Sequence, residues 1–168
     1  ILPFKVTCEN YRINLMKLED IATYPSLEDR VTVITGGGSG IGASIVERFC
    51  EQGSKVYFLD SDEMVSQDLV ERIATSGENT PNFIHCDVRN INSLQSVIKT
   101  IITSSGPIRI LVNNAARDDR HSIEEVTPDY FDERIAVNMR HHFFAAQSVI
   151  PDMKLAGGGS IINMGSVS

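Results

Sequence analysis

The most constraining stretch of this sequence is Thr35-Gly36-Gly37-Gly38-Ser39-Gly40-Ile41-Gly42. It lies between a β-branched run, Val31–Thr35, and a segment, Ile41–Glu51, whose apolar residues Ile41, Ile45, Val46 and Phe49 recur at helical spacing. A strand, a glycine-rich turn and a helix therefore follow one another within about twenty residues. Glycine has no Cβ and visits positive φ freely, so such a turn lets main chain come close to whatever sits above it. The helix after it offers N–H groups without helical partners and the positive end of its dipole, which suits a phosphate. No Gly-Lys-Ser/Thr closes the loop, so the triphosphate-binding P-loop is excluded.

Strands and amphipathic helices keep alternating downstream. Lys55–Leu59 is an apolar strand ending at Asp60; Asp62–Thr75 is a helix with Met64, Leu69, Val70 and Ile73 inward. Asn82–Cys86 is a third strand, Ile91–Thr103 a helix, and Ile108–Val112 a fourth strand. Thr127-Pro128 reads as an N-cap with a first-turn proline, opening one long helix towards Lys154 with a bend at Pro151. Gly157–Gly159 ends it and Ser160–Met164 is a fifth strand. This pattern predicts an α/β fold: a doubly wound, Rossmann-type parallel sheet covered on both faces. Residues 29–168 form this domain, and residues 1–28, with weak periodicity and no motif, read as an N-terminal arm in which Met16 is a candidate natural start. Ligands of such sheets bind beyond the carboxyl ends of the strands, where Asp60, Asp87, Asn113–Ala116 and Gly165–Ser168 all fall.

Asp60 follows Gly40 by 20 residues, at the end of the second strand. A carboxylate at that spacing accepts hydrogen bonds from adenosine ribose hydroxyls and repels a 2′-phosphate. Ser39 is not basic and no Lys or Arg follows Asp60 until Arg72, so the cofactor expected is NAD and not NADP. With 15 Lys+Arg against 22 Asp+Glu and a net charge of −7, the chain repels nucleic acid and anionic lipid. No apolar run reaches the roughly 18 residues of a membrane span, and Ile1–Met16 lacks the apolar centre of a signal peptide. Cys8, Cys50 and Cys86 show no CxxC spacing, which points to reduced thiols and a cytoplasmic protein. His121, His141 and His142 are not placed as metal ligands, since adjacent residues point to different sides of a helix.

With the loop Thr-Gly-x-x-x-Gly-x-Gly in place, the chain resembles the short-chain dehydrogenase/reductase family over residues 26–168. Asp87-Val88 is similar to the family's adenine-holding pair, and Asn113-Asn114-Ala115-Ala116 to its N-N-A-G, with Ala116 adding a methyl where the family has Gly. The resemblance implies that Gly36, Ser39, Gly40, Ile41, Gly42, Asp60, Asp87, Val88, Asn114, Ala115 and Ala116 bind the cofactor. It implies two catalytic residues: Asn138, whose backbone carbonyl holds a relay water, and Ser166, which steadies the reacting oxygen. The family's Tyr-x-x-x-Lys, in which Lys lowers the pKa of the acid/base Tyr, is expected past Ser168, so these residues alone are expected to show no turnover. A homodimer or tetramer of the full-length protein, packed through the helix that carries Asn138, is likewise implied.

The segments Ala115–His121, Val126-Thr127, Asp132–Ile135 and Asn138–His141, with Tyr24–Leu27, are similar to bacterial aldose 1-dehydrogenases of the D-xylose type. That likeness implies hydride transfer from a sugar C1 hydroxyl, giving an aldonolactone. Asp118, Asp119, Arg120 and His121 have two readings: sugar-hydroxyl ligands, or charges tying the loop to Asp132, Glu133 or Arg134. The second is favoured, because loop charges are commonly structural or solvated. An oxoacyl-type substrate and a non-catalytic dinucleotide module are the rival functions.

Overall fold

A computed structural model describes residues 22–77, 79–119 and 121–165. Five parallel strands, β1 (Val31–Thr35), β2 (Lys55–Asp60), β3 (Asn82–His85), β4 (Ile110–Asn113) and β5 (Ser160–Asn163), form one sheet in the order β3-β2-β1-β4-β5. The chain thus winds outward from β1 to β3, returns across β1, and continues through β4 and β5. The change of direction opens a crevice between the loops that follow β1 and β4, where such sheets bind ligands.

Strand alternation sends neighbouring side chains to opposite faces. Val31, Val33, Leu59 and Leu111 pack with Leu94, Ile98 and Ile101 of α3 (Ile91–Ser105) and with Ala145, Val149 and Met153 of α5 (His141–Leu155). Ile34, Val56, Phe58, Ile110 and Val112 pack with Val46 and Cys50 of α1 (Gly40–Glu51) and with Leu69 and Ile73 of α2 (Glu63–Ser76). Both sheet faces are covered, as the near-continuous apolar strands require.

Side-chain caps set the helix starts: Asp62 accepts from the Val65 N–H, Asn90 from Ser93 and Thr127 from Tyr130. Gly77 and Gly106 at positive φ stop α2 and α3, which run to Ser76 and Ser105, past the expected Thr75 and Thr103. β2 continues through Asp60, and β4 takes in Asn113, so both polar residues belong to strands. The expected long helix is divided: α4 (Pro128–Ile135), a π-helical segment (Ala136–Arg140), then α5, which continues through Pro151. Within the arm, Pro25–Leu27 forms a 3-10 turn. Gln52 fastens it, accepting from the Tyr24 N–H at 2.6 Å and donating to the Ala22 carbonyl at 3.1 Å. Residues 1–21 of the arm, including Met16, lie outside the described residues.

Candidate active site

The β1–α1 loop is built with almost no clearance. Gly36 has φ +65°, and a Cβ there would lie 2.6 Å from the Ala115 Cα. A Cβ on Gly42 would lie 1.8 Å from the Gly36 carbonyl oxygen. Main chain rests on main chain at both points, so no side chain can take either place. Ser39 precedes α1 without capping it, which leaves the first-turn N–H groups of that helix open towards the crevice.

Asp60 holds the loop from the neighbouring strand. Its Oδ2 accepts from the Gly38 N–H at 2.9 Å and its Oδ1 from the Asp62 N–H at 3.0 Å. Each carboxylate oxygen keeps capacity for a further donor. On the other side of the crevice, the Thr35 hydroxyl accepts from the N–H groups of Asn114 (3.0 Å) and Ala115 (3.1 Å). The Asn114 side-chain amide donates to the carbonyls of Thr35 (3.2 Å) and Gly36 (2.8 Å). Asn113 has a different task from Asn114: fully buried, it donates to Asn163 Oδ1 at 2.8 Å and ties β4 to β5.

These elements enclose a groove of about 450 Å³. Of the residues expected to face a cofactor, all but Gly40 line it: Gly36, Ser39, Ile41, Gly42, Asp60, Asp87, Val88, Asn114, Ala115 and Ala116. Cys86, Arg89, Arg117 and Val137 also line it and were not foreseen. Arg89 grips Asp87 through its backbone N–H, Nε and Nη2 at 2.6–2.9 Å, and this holds the Asp87 carboxyl below its usual range. Burial pushes the Cys86 thiol up, so it stays protonated.

The π-helical segment supplies Asn138. Its Oδ1 accepts from the Arg117 N–H at 2.9 Å and its Nδ2 donates to the Arg117 carbonyl at 3.0 Å, fixing the chain that leaves β4. Single π turns inside α-helices often mark functional positions. Beyond Arg117 lies a second cavity of about 310 Å³ lined by Asp119, His121, Tyr130, Arg134 and Asn138, among others. A string of ion pairs joins the two spaces. Asp87 pairs with Arg89 (2.6 Å), Arg89 with Glu133 (3.2 Å), Glu133 with Arg117 (3.0 Å), Arg117 with Asp119 (3.0 Å), and Asp119 with Arg134 (2.5 Å). The Arg134 guanidinium also lies 4.5 Å from the centre of the Tyr130 ring, whose hydroxyl is 2.9 Å from His121 Nδ1. Asp119 is therefore committed to holding its loop against α4, in line with the favoured structural reading. Arg120 lies outside the described residues, as does Ser166. β5 brings the chain to the same rim, where the Met164 N–H donates to the Asn113 carbonyl at 2.9 Å. Among the described residues no group of three His, Cys, Asp or Glu side chains could hold a metal ion, and no helix is long and apolar enough to cross a membrane.

The sequence profile of the short chain dehydrogenase family matches residues 30–168, and the chain belongs to that family. A D-xylose 1-dehydrogenase of Caulobacter vibrioides is 46% identical over 147 residues, which is 88% of this chain and 57% of that protein. The "Probable galactose dehydrogenase GalD" of Rhizobium meliloti is 45% identical over 145 residues, 86% of this chain and 57% of its own. The chain thus spans little more than half the length of the curated relatives it matches. Among solved structures, a metagenomic short-chain oxidoreductase in complex with NADP superposes with a TM-score of 0.80 at 26% identity, covering 85% of this chain and 65% of the other. The ligand-free aldohexose dehydrogenase of Thermoplasma acidophilum gives 0.73 at 32% identity, covering 85% and 51%.

Proposed function

We propose that the complete protein is an NAD-dependent dehydrogenase that oxidises the C1 hydroxyl of an aldose to the aldonolactone. The observation that carries the cofactor choice is Asp60, clamped to the Gly38 amide with both oxygens able to accept ribose hydroxyls. At its end of the groove Ser61 is the neighbouring lining residue, and the guanidinium of Arg89 is occupied by Asp87 and Glu133. Among the described residues, a 2′-phosphate there would meet a carboxylate and only cations already paired with carboxylates. The sugar assignment rests on likeness to the two sugar dehydrogenases.

The residues present fit a dinucleotide. The uncapped start of α1 and the contact of Gly42 with Gly36 give its pyrophosphate bare N–H groups at close range. Asp87, Val88, Asn114, Ala115 and Ala116 line the same groove, and in this reading Asp87 and Val88 would hold the adenine. The bound nicotinamide supplies the hydride acceptor. Asn138 keeps the main chain of Arg117, a residue lining the groove, fixed. Ser166 holds the C1 oxygen as a hydrogen-bond donor, and a Tyr-x-x-x-Lys beyond Ser168 takes the hydroxyl proton. A homo-oligomer is part of this reading.

Fluorescence titration of the complete protein with NAD and NADP tests the cofactor choice. NAD is expected to bind at least tenfold more tightly, and Asp60→Ala to lose about 1–3 kcal/mol of NAD affinity, as removal of a charged acceptor does. Tight uptake of NADP with indifference to NAD overturns the cofactor reading. Turnover of keto acids or acyl thioesters but no pentose or hexose overturns the sugar reading, and uptake without any turnover favours a binding module.

A further inference from the structure

His141 is fully buried at the start of α5, where no part of the catalytic reading uses it. Its Nε2 lies 3.3 Å from the hydroxyl oxygen of Thr35, at the carboxyl end of the central strand. That oxygen already receives the N–H groups of Asn114 at 3.0 Å and Ala115 at 3.1 Å. A hydroxyl has two lone pairs and one proton. Both lone pairs are taken, so the proton points at His141. Nε2 is then the acceptor, and the ring proton sits on Nδ1, a buried atom with no hydrogen-bond partner among the described residues. The imidazole is neutral. Burial, reinforced by the His142 ring 4.3 Å away, lowers its pKa to about 4 and agrees with that state.

We propose that His141 is a positioning residue for the groove: by accepting the Thr35 proton it fixes the rotation of that hydroxyl and so holds the Asn114 and Ala115 amides where these two residues line the groove beside the glycine loop. The chain of contacts runs from α5 through β1 to Asn114 and Ala115 after β4, and neither His141 nor Thr35 lines the groove itself. A side chain that only filled space at position 141 would leave the Thr35 hydroxyl free to rotate, and both amides would compete with its proton. The inference rests on the reading that this groove takes a dinucleotide.

Two measurements on the complete protein test it. Histidine-labelled ¹H–¹⁵N long-range spectra report the tautomer directly: His141 is expected as neutral Nδ1–H at pH 7, and an Nε2–H tautomer overturns the proposal. The second is a double-mutant cycle on the NAD dissociation constant. His141→Phe keeps the volume and removes the acceptor, with an expected weakening of about three- to tenfold, the worth of one hydrogen bond. Thr35→Val is expected to weaken binding by at least as much, and the double variant no further, because His141 acts through Thr35. His141→Gln, which retains an acceptor, is expected to recover part of the loss. Unchanged affinity in His141→Phe, or losses that add in the double variant, overturn the proposal. The tautomer decides the question where His141→Phe fails to fold. If the unsubstituted protein takes up no dinucleotide, the functional reading falls, while the spectra still judge the pairing of His141 with Thr35.

Discussion

Asn138 occupies a helical position for which asparagine is a poor former, and both ends of its amide are spent on the main chain of Arg117. Replacing it tests whether that clamp matters more for turnover than for folding. Asn138→Ala removes two exposed hydrogen bonds, for an expected stability loss of only about 1 kcal/mol. If Asn138 has the proposed catalytic role, turnover should fall by tenfold or more, since displacing a residue beside a reacting centre by an ångström costs on the order of a hundredfold. Urea unfolding and steady-state rates of the same preparation separate the two effects. Asp60 and the glycine loop were readable in advance because their chemistry is local: spacing alone brings the second strand's end to the first turn. Arg89 and Arg117 were not, because the partner they share beyond their local carboxylates is Glu133, 44 and 16 residues away respectively. Nothing in the neighbourhood of either arginine announces that pairing. The role of Asn113 was hidden for a related cause. Its role depends on the register that sets it beside Asn163.

At the scale of elements, the glycines of the first turn separate two kinds of constraint. Gly40 has φ +54° with nothing within 4 Å of an added Cβ, whereas Gly42 would drive that atom to 1.8 Å from the Gly36 carbonyl oxygen. Gly40→Ala should therefore cost about 1–2 kcal/mol, the strain of a left-handed backbone. Gly42→Ala should cost more than about 4 kcal/mol or displace α1, since backbone cannot give way as a side chain can. Thermal melts of the two variants should differ by many degrees, and equal melting temperatures would contradict the close packing of α1 on the loop. Helix and strand identities followed from periodicity, as with Val33 and Ile34 facing opposite cores. The π segment left no such trace. One extra residue in a turn barely disturbs an apolar pattern already interrupted by Asn138 and Arg140, so the sequence read as one helix.

For the whole molecule, buried histidine makes folding sensitive to acid. His141 carries a pKa of about 4 in the folded chain against an ordinary 6.5, and burial lowers His142 too. The unfolded chain therefore binds these protons first. Stability should be level above about pH 7 and should fall as pH drops from 6.5 towards 4, by roughly 3 kcal/mol for His141 alone. Asp87, held low by Arg89, extends the loss to still lower pH. Urea midpoints at pH 7.5, 5.5 and 4.5 check this, and a midpoint constant over that range would contradict a neutral, buried imidazole. The doubly wound architecture was legible because five apolar runs separated by amphipathic segments leave few other ways to bury both faces of a sheet. The string of ion pairs between the two cavities has an effect beyond holding a loop. Asp87, Arg89, Glu133, Arg117, Asp119 and Arg134 alternate in sign and cancel, so beyond a Debye length this stretch exerts almost no field. A charged visitor would therefore gain no steering from this stretch, and raising the ionic strength should leave its contribution to the encounter rate where it was.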